Sequence, residues 1–407
     1  MYNMNQYPIA AWYYLSLNRP PEEKVDTWYE LGLNLVTISY ALEQKELILR
    51  ALDRAQSHNM KLILMDPRTE FMVLHEAGEE TYRKGVLEAI HDFGHHPAVF
   101  GFYVGDEPDA PYADAAFRAV RINEELAPHL TAFLNLLPWF DWIGKRMGTH
   151  AYAPYLDRAC QESNAKMLGY DCYTQMNSNT EGLEIYFNNL REHCASSKRN
   201  GTPFLSTILC AGHFRYRCPS KDDLRWQFST SVAHGAAAVM WFHIELDPSD
   251  DNYRNAPINR FGDRTEDFAH MREVNLEFQN QMGKVMNTLR IDRCFHVGKA
   301  YGGVPLFEPF ESILDISASE ALILSSFHNA EGELFYVVCS NTPEKPTYVS
   351  LKTKEDVMIE KCFWGNKFYP MPTLQDAVGA NMGNKEQSFG FFLNPGQMIL
   401  LKEIKKK

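Results

Sequence analysis

The sequence predicts an α/β chain, a (β/α)8 TIM barrel followed by a small antiparallel β-sandwich, and three observations carry that prediction. Eight short runs of nearly unbroken apolar residues alternate with stretches of helical apolar spacing. Parallel strands covered on both faces read this way, because neither side meets water. A barrel takes roughly 250 residues, so a chain of 407 has room for a second, smaller domain. Beyond Arg290 the helical spacing stops, and short β-rich runs punctuated by turn residues take over.

The eight barrel strands are expected at Ile9 to Leu15, Leu33 to Tyr40, Lys61 to Asp66, Val99 to Asp106, Leu130 to Leu136, Met167 to Tyr173, Phe204 to Leu209 and Ala236 to Ile244. Between them, Lys45 to His58 spaces Leu47, Leu49, Leu52 and Ala55 as a helix does, and Thr81 to Phe93 does the same with Tyr82, Val86, Ile90 and Phe93. Pro20-Pro21 pre-sets the first turn of the first helix and Gly32 closes it; Gly201-Thr202-Pro203 parts the sixth helix from the seventh strand. A last helix, Thr265 to Leu289, completes the alternation. In the tail, Ala321 to Phe327, Leu334 to Ser340 and Tyr348 to Lys352 read as strands, and Gly390 to Leu401, with Asn394-Pro395-Gly396 inside it, as a closing hairpin. The division is residues 1–290 for the barrel and 291–407 for the sandwich.

Composition narrows the partners. A net charge of -12 with no stripe of Lys and Arg argues against nucleic acid, whose phosphates demand clustered cations. No run of 18 or more apolar residues appears, so no transmembrane helix is expected. The N-terminal MYNMNQYPIA lacks the charged start and apolar core of a signal peptide, which reads as a cytoplasmic protein or a processed periplasmic or secreted form. The 8 Cys are scattered without C-x-x-C spacing and read as buried thiols. Neither a cofactor nor a metal is expected, since Asp66, His213 and His243 carry no metal-ligand spacing.

Chemistry concentrates in Val99 to Pro111, VFGFYVGDEPDAP, where an apolar strand runs into Asp106-Glu107-Pro108 ahead of a helix. Barrel active sites are built on the carboxyl edge of the strands, so two acids there point to catalysis. The competing reading is a strand exit in which Asp106 caps the next helix. Adjacent residues of a regular strand face opposite ways, so only one of the pair projects inward unless the backbone turns.

The approach Phe93-Gly94-His95-His96-Pro97-Ala98-Val99-Phe100-Gly101-Phe102-Tyr103 to Gly105-Asp106-Glu107-Pro108 resembles a pattern of bacterial (β/α)8 glycoside hydrolases related to the retaining β-glycosidase clan. Gly169-Tyr170-Asp171-Cys172-Tyr173, Gly262-Asp263-Arg264-Thr265 and Val274-Asn275 match as well. The resemblance implies hydrolysis of a glycosidic bond with Glu107 as general acid/base. Two departures stand out: Asp106 occupies the place of the clan's asparagine, and Phe204 to His213, where the clan's nucleophilic glutamate ends the seventh strand, holds no carboxylate.

A second carboxylate must therefore come from elsewhere. Glu245 after the eighth strand is slightly favoured, for its reach; Asp171 on the sixth is the other choice. If the backbone turns at the fourth strand's exit, Asp106 and Glu107 together resemble the substrate-assisted N-acetylhexosaminidases, in which the sugar's own acetamido group attacks. Around them, Trp12, Tyr14, Tyr40, Asp66, Arg68, Tyr103, Asn135, Trp139, Tyr173, His213, Trp241 and His243 are the expected substrate-binding set at strand ends. Aromatic faces stack on sugar rings, and amides, acids and Arg bond the hydroxyls. The partner expected is an oligo- or polysaccharide; a non-catalytic carbohydrate-binding barrel is the alternative outside enzymology.

Overall fold

The computed structural model describes residues 4–13, 19–177, 179–246, 252–374 and 386–406. Strands β1 (Ile9–Ala11), β2 (Leu35–Ser39), β3 (Lys61–Met65), β4 (Val99–Asp106), β5 (Thr131–Leu136), β6 (Leu168–Asp171), β7 (Phe204–Leu209) and β8 (Ala238–Phe242) form a closed parallel barrel in chain order. Closure is made by β8 on β1, with Ile9 opposite Val239 and Ala11 opposite Trp241.

The helices are α1 (Pro21–Glu30), α2 (Lys45–Ser57), α3 (Phe71–Ala89), α4 (Ala110–Leu126), α5 (Gly144–Met147), α6 (Tyr152–Ser163), α7 (Thr180–Asn200), α8 (Lys221–Ala233), α9 (Glu266–Phe278) and α10 (Lys284–Met286). Local chemistry fixes their starts. Pro21 opens α1, where a missing N–H costs nothing. Ser220 and Asp223 cap α8 reciprocally, each side chain accepting the other's backbone N–H.

The tail is antiparallel: β9 (Arg290–Val297), β10 (Ile313–Ala318), β11 (Leu322–His328), β12 (Leu334–Ser340), β13 (Thr347–Lys354), β14 (Val357–Phe363), β15 (Lys367–Pro370), β16 (Glu386–Leu393) and β17 (Met398–Lys405). They make a three-stranded sheet, β10-β13-β16, and a six-stranded one, β15-β14-β17-β12-β11-β9. The expected closing hairpin is not one: β16 pairs with β13 and β17 with β12 and β14, so Asn394-Pro395-Gly396 carries the chain from one sheet to the other.

Strand periodicity shows how the sandwich holds on. Tyr336 and Val338 of β12 and Ile399 and Leu401 of β17 point into the core between the sheets. Their neighbours Phe335, Val337, Met398 and Leu400 point the other way and join the core of the barrel. A sheet buried on both faces explains why these runs are apolar throughout rather than alternating. Polar clasps fix the seam: Ser325 Oγ donates to the Ala233 carbonyl at 2.6 Å and Trp226 Nε1 to Asn341 Oδ1 at 3.1 Å.

Candidate active site

The exit of β4 is not a regular strand. A Cβ on Gly101 would lie 1.7 Å from the Thr131 carbonyl oxygen, and one on Gly105 would lie 2.2 Å from the Phe71 ring, so both positions require glycine. Between them the ladder to β5 slips: Tyr103 opposes Phe133, Gly105 opposes Leu134 and Asp106 opposes Asn135. This bulge resets the alternation of side chains and turns Asp106 to the face that Tyr103 occupies. Glu107 then adopts a left-handed backbone, φ +42°, at a cost of about 1–2 kcal/mol for a residue with a Cβ. Its N–H is held by the Asn135 carbonyl at 2.9 Å. Strain of this kind persists where surrounding structure enforces it, and functional sites are where it clusters.

Bulge and turn bring Asp106 and Glu107 to one mouth, together with Asp171 from the end of β6. The amide of Asn135 joins them, its Nδ2 donating to Asp106 Oδ1 at 2.9 Å and to Asp171 Oδ1 at 2.7 Å. Burial, then the charge of Asp106, pushes the Glu107 carboxyl up to about 7, while Arg146, 3.6 Å from Oε2, works in the opposite direction. Asp106 is also raised, by burial, against the pull of Asn135. Asp171 is driven well above the usual carboxylate range by burial and by the charges of Glu107 and Asp106. Asn135 bonds two of these carboxyls and Arg146 reaches the third, so burial and mutual repulsion favour a proton held within the cluster, available to be given away.

Beneath the acids lies an aromatic floor. Trp12 of the β1 exit reaches across the barrel to Tyr103, Phe133 and Phe242, with ring centroids 5.8–6.4 Å apart. Tyr173 stacks on Phe242 at 5.6 Å, and His213 packs against both. His243 is buried beside Tyr253. Trp139 stacks on Tyr152, its backbone held at both ends by Asn189, on the β5–α5 connection that also leads to Arg146.

Other expected residues lie elsewhere. Trp241 faces outward, against Phe228, with Nε1 bonded to Asn275 on α9 at 2.9 Å, because the period of two that brings Phe242 inward sends its predecessor out. Glu245 is corrected too: both of its oxygens are taken by Lys24 Nζ, at 2.6 and 2.7 Å, in a buried pair against α1. Asp66 is fully buried, accepting from the Tyr40 hydroxyl at 2.5 Å and from the Arg68 guanidinium, whose other arm reaches Asp92, so these three brace one another. Tyr14 lies outside the described residues.

Sequence reading missed Arg146, which sits on a four-residue helix inside a loop and has no motif to announce it. It also missed Phe133 and Phe242, and for these the strand alternation was a usable signal. Among the described residues no group of three or more His, Cys, Asp or Glu side chains is placed to hold a metal ion.

No family model matches the chain and no curated protein matches it in sequence. Solved structures do match in fold. A family 42 β-galactosidase from G. stearothermophilus, solved as a catalytic mutant, aligns with a TM-score of 0.63 at 7% identity, over 99% of this chain and 98% of that one. A family 39 glycoside hydrolase from Bacteroides cellulosilyticus WH2 aligns with a TM-score of 0.55 at 11% identity, over 98% and 81%. A β-galactosidase from the psychrophilic Marinomonas ef1 aligns at 0.50 and 13% identity over 66% of this chain, which spans only 59% of that protein. At such identities the likeness is one of fold: barrel first, β-sheet domain after it.

Proposed function

We propose that the chain is a glycoside hydrolase that cleaves a glycosidic bond in an oligo- or polysaccharide, with Glu107 as general acid. The observation that carries this is the gathering of Glu107, Asp106 and Asp171 about Asn135 at the mouth of the barrel, where burial and the charge of Asp106 push the Glu107 carboxyl up to about 7. A general acid works best with a pKa near the working pH. Protonated Glu107 donates to the leaving oxygen, and Asp171, once it has given up its own proton, supplies the second carboxylate, since Glu245 is occupied by Lys24. The aromatic floor supports a sugar substrate, as do the glycoside hydrolases among the structural neighbours.

A second reading is favoured by one feature, the bulge that turns Asp106 to the same mouth. Held by Asn135, Asp106 is suited to orient the acetamido group of a 2-acetamido sugar while Glu107 protonates the leaving group, which would make the chain a substrate-assisted N-acetylhexosaminidase.

A panel of chromogenic glycosides, with proton NMR of the first-formed anomer, decides between them. With Asp171 as nucleophile, the anomer is retained and azide rescues Asp171→Gly as a glycosyl azide; with Asp171 activating water, the anomer inverts and no such adduct forms. Cleavage confined to 2-acetamido sugars, crippled by Asp106→Asn, selects the substrate-assisted route. Sugars that bind without being cleaved would overturn the hydrolase and leave a carbohydrate-binding barrel.

A further inference from the structure

A groove of about 960 Å³ opens at the N-terminal end of the barrel, away from the acid cluster. Its walls are the segments that lead into strands: Asn5 and Gln6 ahead of β1, Asn34 ahead of β2, Lys61 at the start of β3 and Pro97 ahead of β4. This end of a barrel ordinarily serves stability, yet here it is open and polar.

The charge in the groove runs against that of the chain. Lys61, Arg272 and Lys284 all line it, while the one acid among the described lining residues, Glu30, is paired with Arg264 at 2.5 Å. Arg272 and Lys284 are exposed and carry no ion pair among the described residues. In a chain of net charge -12 this is a local positive field.

The groove also offers a flat, rigid face. Tyr29, half exposed, stacks on His58 with centroids 4.1 Å apart and planes within 13°. His58 is fixed in turn by Asp26, whose Oδ1 lies 2.7 Å from Nε2. Beside it, the carboxamides of Gln56 and Asn59 are solvent-facing and lie within the same groove. An aromatic face takes the apolar side of a pyranose, carboxamides take its hydroxyls, and Arg and Lys take a carboxylate.

We propose that this groove is a second, non-catalytic glycan site that binds an acidic oligosaccharide through the uronate carboxylates of its sugars. The ring face and the amides favour a sugar over an acidic peptide, which would need only the cations. The choice of a glycan draws on the glycosidase reading of the mouth, but the groove itself shares no residue with the acid cluster.

The test is calorimetric binding of an oligogalacturonate to full-length Glu107→Gln, which keeps turnover out of the measurement. Binding is expected to weaken with added salt, and by about tenfold or more in the added double variant Arg272→Ser/Lys284→Ser, the scale of losing charge-assisted contacts. Tyr29→Ala, which keeps every cation, should weaken it as well. Placed in the otherwise unaltered chain, the double variant should cleave a small aryl glycoside at the parent rate. Undiminished binding in the double variant, equal affinity for a neutral galacto-oligosaccharide, equal affinity for polyglutamate, or no binding at all would each overturn the proposal. A parent inactive on every glycoside that still binds oligogalacturonate through Arg272 and Lys284 would sink the hydrolase and leave the groove standing.

Discussion

Glu107 and Glu245 each follow a barrel strand, β4 and β8, on the edge where barrel enzymes work, but their surroundings differ in kind. Glu107 stands beside Asp106 and Asp171, which share the Asn135 amide, with a guanidinium 3.6 Å away that is itself shared with Asp109. Glu245 is sealed against α1 with both oxygens on one ammonium. The comparison teaches that position on the carboxyl edge nominates an acid, whereas the charges around it decide its role. A surplus of acids leaves a proton to donate; a one-to-one pair leaves a structural clasp.

The largest expected effect is on turnover. Glu107→Gln should lower kcat/KM by about 10²- to 10⁴-fold on glycosides with poor leaving groups, and much less on dinitrophenyl glycosides, which need no proton. At the other strand, breaking the pair by Lys24→Met should cost about 3–5 kcal/mol in urea unfolding, because it strands a buried carboxylate, and Lys24→Met/Glu245→Leu should regain most of that loss. If Glu245 worked at the mouth instead, the double variant would be stable and inactive.

Glu107 should also show itself in the pH dependence of stability. A carboxyl raised from an ordinary value near 4.5 to about 7 in the fold favours folding fully at pH values below the lower figure, and that contribution is lost as pH rises through the higher one. Near pH 8, therefore, Glu107→Gln should unfold later than the parent, by on the order of 1–2 kcal/mol after allowance for its solvent-facing edge. The smallest effect belongs to Arg146→Ala. Removing the cation that lowers Glu107 should move the alkaline limb of the kcat/KM profile upward, by about one pH unit or less.

Much of this was legible in the sequence, and the rest was hidden for identifiable reasons. Phe204 to Leu209 and Val99 to Asp106 are strands over the residues that their apolar runs mark out. The hairpin at Asn394-Pro395-Gly396 was misread because a turn between two sheets has the same local chemistry as a turn within one; only long-range pairing separates them. Trp241 is expected in the substrate-binding set, yet the period of two allows only one of Trp241 and Phe242 to face inward, and it is Phe242. The bulge at Gly105 and the left-handed Glu107 were within reach as a condition, a backbone that turns, but not as a fact, since both depend on Phe71 and β5 packing close. Lys24 lies 221 residues from Glu245, and nothing local in the sequence ties one to the other.

The most direct test of the contrast is the pH dependence of kcat/KM on an aryl glycoside, measured in the parent and in Glu107→Gln. If Glu107 is the proton donor, the parent loses activity as pH rises through about 7, and the residual activity of the variant shows no such limb. A limb that stays at the same pH in Glu107→Gln would assign the proton to another group and contradict the account.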